Sequence, residues 1–375
     1  MASLALPDRL NRLPLLTIVA VLALGGFSLL VLYSAAGGSL RPWALNQGIR
    51  FAAMFVMMLG ISQLDMRIWM RFAYPIYGLC LILLLAVEII GQVGGGSQRW
   101  LNLGVINLQP SELMKIAVVL ALARYYHFLP RANVKSWKAL VFPATLLALP
   151  AALVMLQPDL GTALAILFGG TAIVFLGGAS AWLFITGGAL AIVAIPLAVK
   201  FLLHGYQQKR VLIFLDPEAD PLGAGYHITQ SKIAIGSGGI GGKGFMSGTQ
   251  SHLQYLPELH TDFIFATMSE EWGLIGGLFV IACFAIIIAR GVGTALTART
   301  IFAQLVAMGM SATLFFYVFV NLAMVMGFAP VVGIPLPLMS YGGSAMLTAT
   351  LLVGILLSVH GQRDRTRLTE GPGRI

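Results

Sequence analysis

Apolar runs of about twenty residues follow one another along almost the whole chain, separated by short polar joints. A helix needs a run of that length to cross ~30 Å of hydrocarbon, where an unpaired strand would leave its N–H and C=O groups without partners. The composition agrees, since 58% of the 375 residues are hydrophobic and 10% are charged, far from soluble globular usage. The pattern predicts an all-α integral membrane protein with about ten spans, near residues 15–34, 44–62, 72–91, 111–129, 138–156, 160–177, 181–203, 272–290, 301–326 and 345–361. No polar stretch is long enough for a separate soluble domain, so residues 1–375 are expected to form a single membrane domain. A large loop between the seventh and eighth spans takes residues 204–271, and an Arg-rich tail takes 362–375.

Lys and Arg set the orientation, because loops rich in them are retained on the cytoplasmic side. With the N-terminus inside, 14 of the 23 basic residues fall on one face, from Arg9 and Arg12 through Arg67, Arg71, Arg124 and Arg299 to the tail. An even number of spans leaves both termini cytoplasmic and the large loop extracytoplasmic. The formal net charge of +9 follows from this topology and requires no nucleic-acid partner. The first run, ending in "YSAAGG", superficially resembles a signal peptide. It exceeds the ~7–15 apolar residues of a signal core and further spans follow, so it reads as a retained anchor in the cytoplasmic membrane. Cys80 and Cys283 fall inside apolar runs and read as small core residues, with no disulfide or metal implied.

Four segments depart from plain apolar wiring, and all are assigned to the outer side: "GGGSQRWLNLGVINLQPSELMK", "LQPDLGTA", the long loop ending in "LPELHTDF", and "GFAPVVGIPLPLMSYGGS". Irregular backbone at membrane depth persists only where protein covers it or where it lines a wet cavity. Together the four predict a polar cavity opening outward.

A charge inside a span costs ~2.5–3.5 kcal/mol on insertion scales, so each such residue needs a partner or a task. Glu112 and Lys115, three apart, share a helix face and suit an ion pair that either staples the helix or serves the cavity. Asp159 suits a carboxylate accepting N–H bonds in a first helical turn. Arg50 either snorkels to headgroups or turns inward to hold two oxygens of a phosphate. "HTD" before an apolar run reads as a helix start capped by Thr261 or Asp262, although Ser, Thr or Asn would cap as well. Glu270 and Glu271 read as supports for loop or helix packing.

Glu258, His260 and Asp262 alternate, which would set three ligand-type side chains on one side of an extended segment. The six histidines nevertheless lack the spacing of a protein-built metal site, so no tightly bound metal is expected. Gly236, Gly238 and Gly241 match G-x-G-x-x-G only formally, and "GGKG" lacks the first glycine and the Ser or Thr of a phosphate loop. A glycine-rich turn near Lys243 and Lys232 still offers N–H groups to an anionic headgroup.

The segments "QPSELMK", "QPDLGTA", "DPLGAGYHITQSKIAIGSGGIGGKGF", "LPELHTDFIFA" and "GIPLPLMSYGGS", in this order, closely resemble the SEDS family of shape, elongation, division and sporulation proteins. Around "SGTQS" the loop is nearer to the rod-shape members than to the division members. The resemblance implies a ten-span peptidoglycan glycosyltransferase of the bacterial cytoplasmic membrane. Its substrate would be lipid II, a disaccharide-pentapeptide on undecaprenyl pyrophosphate, polymerised into glycan strands outside the membrane during cell elongation. It also implies a class B penicillin-binding protein transpeptidase as partner, beside other elongation-complex membrane proteins. By the same resemblance Asp262 is the essential carboxylate, and Arg50, Glu112, Lys115 and Asp159 are cavity residues.

Glycosyl transfer from a lipid pyrophosphate needs a base for the acceptor hydroxyl and cationic groups, or a divalent ion such as Mg or Mn, for the departing pyrophosphate. The expectation is Asp262 as base and Arg50 and Lys115 on the diphosphate, with Glu112 and Asp159 orienting those cations or helping to hold a divalent ion. Lys232, Lys243 and Ser340 complete the candidate substrate-binding set. A single displacement inverts the anomeric carbon, whereas a double displacement needs a second, nucleophilic carboxylate. Two other classes stay open: a lipid II flippase, which intramembrane charges also suit, and a non-catalytic scaffold for the penicillin-binding protein.

Overall fold

The structure is a computed structural model that describes residues 13–94, 97–102, 107–201, 224–253 and 258–369. Arg9, Arg12, the loop stretch 202–223 and the end of the tail lie outside the described residues. Helices form where the apolar runs predict them. Before the long loop come α1 (Leu15–Ala35), α2 (Ala44–Ser62), α3 (Met66–Ile90), α4 (Pro110–Phe128), α5 (Trp137–Leu156), α6 (Leu160–Leu176) and α7 (Ala181–Phe201). The loop contributes α8 (Ala224–Gly238) and the single turn α9 (Thr249–His252), and α10 (Ile264–Thr297), α11 (Ile301–Val325) and α12 (Gly343–Thr369) follow.

Among the described residues seven helices are long and apolar enough to cross a membrane: α1, α2, α3, α5, α10, α11 and α12 as far as Gln362. The apolar helix α6 and the first part of α7 are shorter. α4 is excluded by its own charges, since Glu112, Lys115 and Arg124 all lie on it. Packing explains why they are tolerated. α4 is in contact with α3, α5, α6, α11 and α12, and from Pro110 to Ala123 every residue except Leu113 is buried, so protein surrounds it from its N-terminus onward. Two buried apolar clusters flank this centre, one built mainly on α3 to α6 and the other on α1, α2 and α10, and α11 and α12 contribute to both. Cys80 sits in the first and Cys283 in the second, each a free thiol.

Two features differ from the all-α expectation. The glycine-rich segment before α4 folds into a small antiparallel sheet, β1 (Gln92–Gly94), β2 (Ser97–Asn102) and β3 (Asn107–Leu108), with Gln92 opposite Trp100 and Leu101 opposite Leu108. Backbone groups wedged between helix ends cannot all reach water, and pairing with one another satisfies them. The second difference is α10, which starts well before the expected 272–290 span and breaks at Gly273 (φ 60°, ψ −155°). A break orphans carbonyls below it and N–H groups above it. The glycine-rich turn supplies both: Lys243 and Gly244 N–H donate to the carbonyls of Glu270 and Glu271, while Gly239 and Ile240 carbonyls accept from Leu274 and Ile275. A Cβ on Gly242 would collide with the Glu271 carbonyl, so only glycine permits the approach. The N–H groups of Lys243 and Gly244, expected to receive an anionic headgroup, are therefore spent on splicing a broken helix.

Candidate active site

A cavity of ≈ 390 Å³ lies where the N-terminal ends of α4, α6 and α12 meet the C-terminal half of α11, strand β2 and the loop before α10. Its lining includes Glu112, Lys115, Asp159 and Asp262 among the expected residues, and Arg99, Tyr317 and Tyr341 besides.

One wall is a buried polar network. Pro110 begins α4 at a position where its missing N–H is harmless, which sets Glu112 in the first turn and Lys115 one turn on. Lys115 Nζ lies 2.6 Å from Glu112 Oε1, with both side chains almost fully buried. The Tyr317 hydroxyl donates to Glu112 Oε2 at 2.8 Å, and Lys115 Nζ stands 4.1 Å from the centre of the Tyr317 ring. Asp159 is the N-cap of α6, accepting from Thr162 N at 3.1 Å and Thr162 Oγ1 at 2.9 Å, as expected. Its carboxylate also accepts from Gln109 at 3.0 Å and lies 3.9 Å from Arg99 Nη1. Arg99 in turn donates to the carbonyls of Gln157 and Pro158, which pins β2 to the α5–α6 turn. Arg99 and Tyr317 were not singled out from the sequence. For Arg99 a signal existed, a lone Arg in a segment that the retention rule assigns to the side poorer in basic residues.

The other wall is the loop at 258–263, and here both local expectations fail. The N-cap of α10 is Phe263, with no side-chain cap bond, so neither Thr261 nor Asp262 starts the helix. The segment is also not extended: it turns, with Glu258 at φ 51°, and the Thr261 hydroxyl donates to Glu258. It is held from outside through four consecutive carbonyls. Leu259 O accepts from Thr267 Oγ1 (3.2 Å), His260 O from Tyr341 N (2.8 Å), Thr261 O from Ser340 Oγ (2.6 Å) and Asp262 O from Asn321 Nδ2 (3.0 Å). Asn321 donates also to Ile334 O, and Ser340 Oγ accepts from Leu336 N. Gly333, at φ +70°, faces the aspartate, and a methyl group there would lie 3.6 Å from Asp262 Oδ2. The His260 ring stacks on Trp43 (centroids 4.4 Å apart, 11° between planes). Burial pushes the His260 pKa below its ordinary value, against the opposing pull of Glu258.

The remaining expected residues do not line the cavity. Arg50 stands 5.1 Å from the Tyr341 ring, one side chain back from the lining. Ser340 is buried and acts as the clamp just described. Lys243 pairs with Glu270 at 2.6 Å and donates to Thr249 at 2.8 Å, bracing the α9 turn against α10. Glu270 also accepts from the Thr249 and Gln250 N–H groups, and Glu271 accepts from Ser34 of α1, in keeping with the packing roles expected of both. Lys232 is exposed on α8, with its stem against Gly327. Among the described residues no three His, Cys, Asp or Glu side chains converge as a metal site. Both oxygens of Glu112 and of Asp159 accept hydrogen bonds within their wall of the cavity.

A family profile named for FtsW, RodA and SpoVE and described as cell cycle protein matches residues 13–365. The peptidoglycan glycosyltransferase MrdB of Escherichia coli K12 is 46% identical over 360 residues, covering 95% of each chain. A probable peptidoglycan glycosyltransferase FtsW of Trichlorobacter lovleyi is 36% identical over 365 residues and 94% of each chain. A chain from a solved peptidoglycan synthase complex, described in terms of coordinated polymerization and crosslinking, superposes with a TM-score of 0.79 at 33% identity, over 92% of this chain and 97% of that one. The rod shape determining protein RodA of Thermus thermophilus superposes at 0.67 with 30% identity, over 92% and 96%. This multi-pass membrane protein belongs to the FtsW, RodA and SpoVE family of cell cycle proteins, the SEDS family.

Proposed function

We propose that the cavity is the active site of a peptidoglycan glycosyltransferase that polymerises lipid II, with Asp262 as general base. The chain is a glycosyltransferase of the elongation type, and its chemistry follows from the two walls. A sugar hydroxyl of the acceptor loses its proton to the Asp262 carboxylate. Its oxygen bonds to the anomeric carbon of the donor, and the bond from that carbon to pyrophosphate oxygen breaks, releasing undecaprenyl pyrophosphate. One displacement inverts the anomeric carbon. Lys115 and Arg99 on the cavity wall, and Arg50 behind Tyr341, are the cations for the diphosphate charge. Glu112 and Asp159 orient two of those cations and are not reacting groups.

The observation that carries this reading is how the aspartate is placed. Asp262 lines the cavity on a loop held by its own backbone carbonyls, one residue ahead of Phe263, the N-cap of α10. Such a clamp fixes a reacting group before substrate arrives, which is worth more than adding the group alone. A second observation fits a lipid-borne substrate. An apolar groove of ≈ 620 Å³, walled by Leu164, Leu167, Phe168, Phe175 and Phe316, shares Val332 with the polar cavity and offers the isoprenoid tail a path into the membrane.

In this reading the helices make ten spans of one domain in the bacterial inner membrane, both termini are cytoplasmic, and the loop at 204–271 faces outward. The partner is a class B penicillin-binding protein transpeptidase that crosslinks the strands, together with other elongation proteins, and the solved synthase complex supports such a pairing. No tightly bound cofactor is required, because the cations above serve the leaving group. The test is to incubate the purified chain and its partner with lipid II and to measure glycan polymer, comparing wild type with Asp262→Asn. Wild type should polymerise, and the variant should fall by about 10²-fold or more. Equal rates would sink the base assignment. Lipid II translocation without polymer from either protein would make the chain a flippase.

A further inference from the structure

A second cavity, of ≈ 300 Å³, lies at the opposite end of the helices that build the active site. Three helices run from one to the other: Glu112 to His127 on α4, Tyr317 to Phe302 on α11, and Ser344 to Val359 on α12, each pair about 22 Å apart along its helix. The far cavity joins an apolar wall of Met66, Met70, Phe302 and Val359 to the cations Arg67 and Arg299. His127 also lines it, and its Nδ1 is buried without a hydrogen-bond partner. Asp65, the one carboxylate of the lining, caps α3 by accepting from Arg67 N at 3.0 Å. Among the described residues Arg67 forms no ion pair.

We infer that this cavity binds the phosphate headgroup of an anionic phospholipid of the leaflet opposite the active site. Arg67 and Arg299 would hold the phosphate oxygens, and the orphaned His127 nitrogen would donate a third bond. A basic pocket between membrane helices, on the face richest in Lys and Arg, meets the leaflet that carries anionic lipid. A free phosphate ion would satisfy the cations but leave the apolar wall uncovered, whereas a phospholipid covers it with the start of an acyl chain. The reading rests on the chain spanning a membrane and not on the chemistry assigned to Asp262.

The test uses the full chain in detergent, titrated in separate arms with cardiolipin, phosphatidylcholine and inorganic phosphate while the unfolding midpoint is followed. Cardiolipin should raise the midpoint saturably, and the other two should not. Arg67→Gln should weaken the apparent cardiolipin affinity about tenfold, as expected for one charge-assisted contact. His127→Phe, which keeps the ring packing, should weaken it severalfold. Lys138→Gln, an exposed basic residue outside the cavity, should leave it unchanged. An equal shift with phosphatidylcholine or with inorganic phosphate would overturn the inference, as would wild-type affinity in Arg67→Gln. If Arg299→Gln fails to fold, the exposed Arg67 still decides the matter.

Discussion

Asp159 and Asp262 stand in similar local sequence, each just ahead of an apolar helix, yet the two carboxylates are used differently. Asp159 holds its helix: it accepts from Thr162 N and Oγ1 and is further engaged by Gln109 and Arg99. The N-cap of α10 is Phe263 rather than Asp262, and the Asp262 loop is fastened by carbonyls that reach Thr267, Tyr341, Ser340 and Asn321. The difference teaches that the segment carrying a carboxylate can be secured through its backbone as well as through its side chain. At Asp159 the side chain is itself the fastening, whereas at Asp262 the backbone is fastened on its own account.

The comparison can be broken most directly at the two aspartates. Asp262→Asn should lower polymer formation by about 10²- to 10⁴-fold while leaving the unfolding midpoint almost unchanged. Asp159→Ala should cost about 1 kcal/mol of stability through the lost cap, read by thermal unfolding. If Asp262→Asn proves the more destabilising, the contrast between the two is wrong. The ion pair behind the cavity gives the next largest effect. Lys115→Met alone leaves Glu112 buried and uncompensated and should cost about 3–5 kcal/mol, whereas Glu112→Gln with Lys115→Met should recover most of the stability without recovering activity. Recovery of both would make the pair a structural staple only.

The clamp itself is sharpened by Asn321→Leu and Ser340→Ala. Each removes a donor to the Asp262 loop, so kcat should fall by about 10- to 100-fold with KM little changed, because a slight displacement of the base is felt in the reaction rather than in binding. A pure rise in KM would argue that these residues touch substrate instead. The smallest effect concerns pH. The folded pKa of His260 lies below its unfolded value of about 6.5, so the unfolded chain binds more protons as pH falls through that range. Its contribution to stability is complete above that value and is lost as pH drops below it. Wild type should therefore lose more of its unfolding midpoint between pH 7 and 5 than His260→Phe, which keeps the stacking on Trp43.

Much of the fold and part of the site are legible in the amino-acid order because they are local. A run of about twenty apolar residues partitions into hydrocarbon wherever it sits in a fold. Glu112 and Lys115 meet because three residues on a helix bring side chains together, and Asp159 caps because its partner is three positions away. The tertiary structure alone decided what joins distant segments. It bonded Tyr317 to Glu112 across 205 positions, Ser340 to Thr261 across 79 and Asn321 to Asp262 across 59, and it brought Arg99 to the α5–α6 turn. It also placed Lys243 outside the polar cavity and engaged it and the glycine-rich turn with a broken helix. The residue types themselves, one essential-looking aspartate and a handful of cations in a hydrophobic chain, were set by the sequence, because their cost in a membrane marks them out wherever they fall. How the Asp262 loop is clamped through its carbonyls depends on hydrogen bonds between helices that only packing brings together.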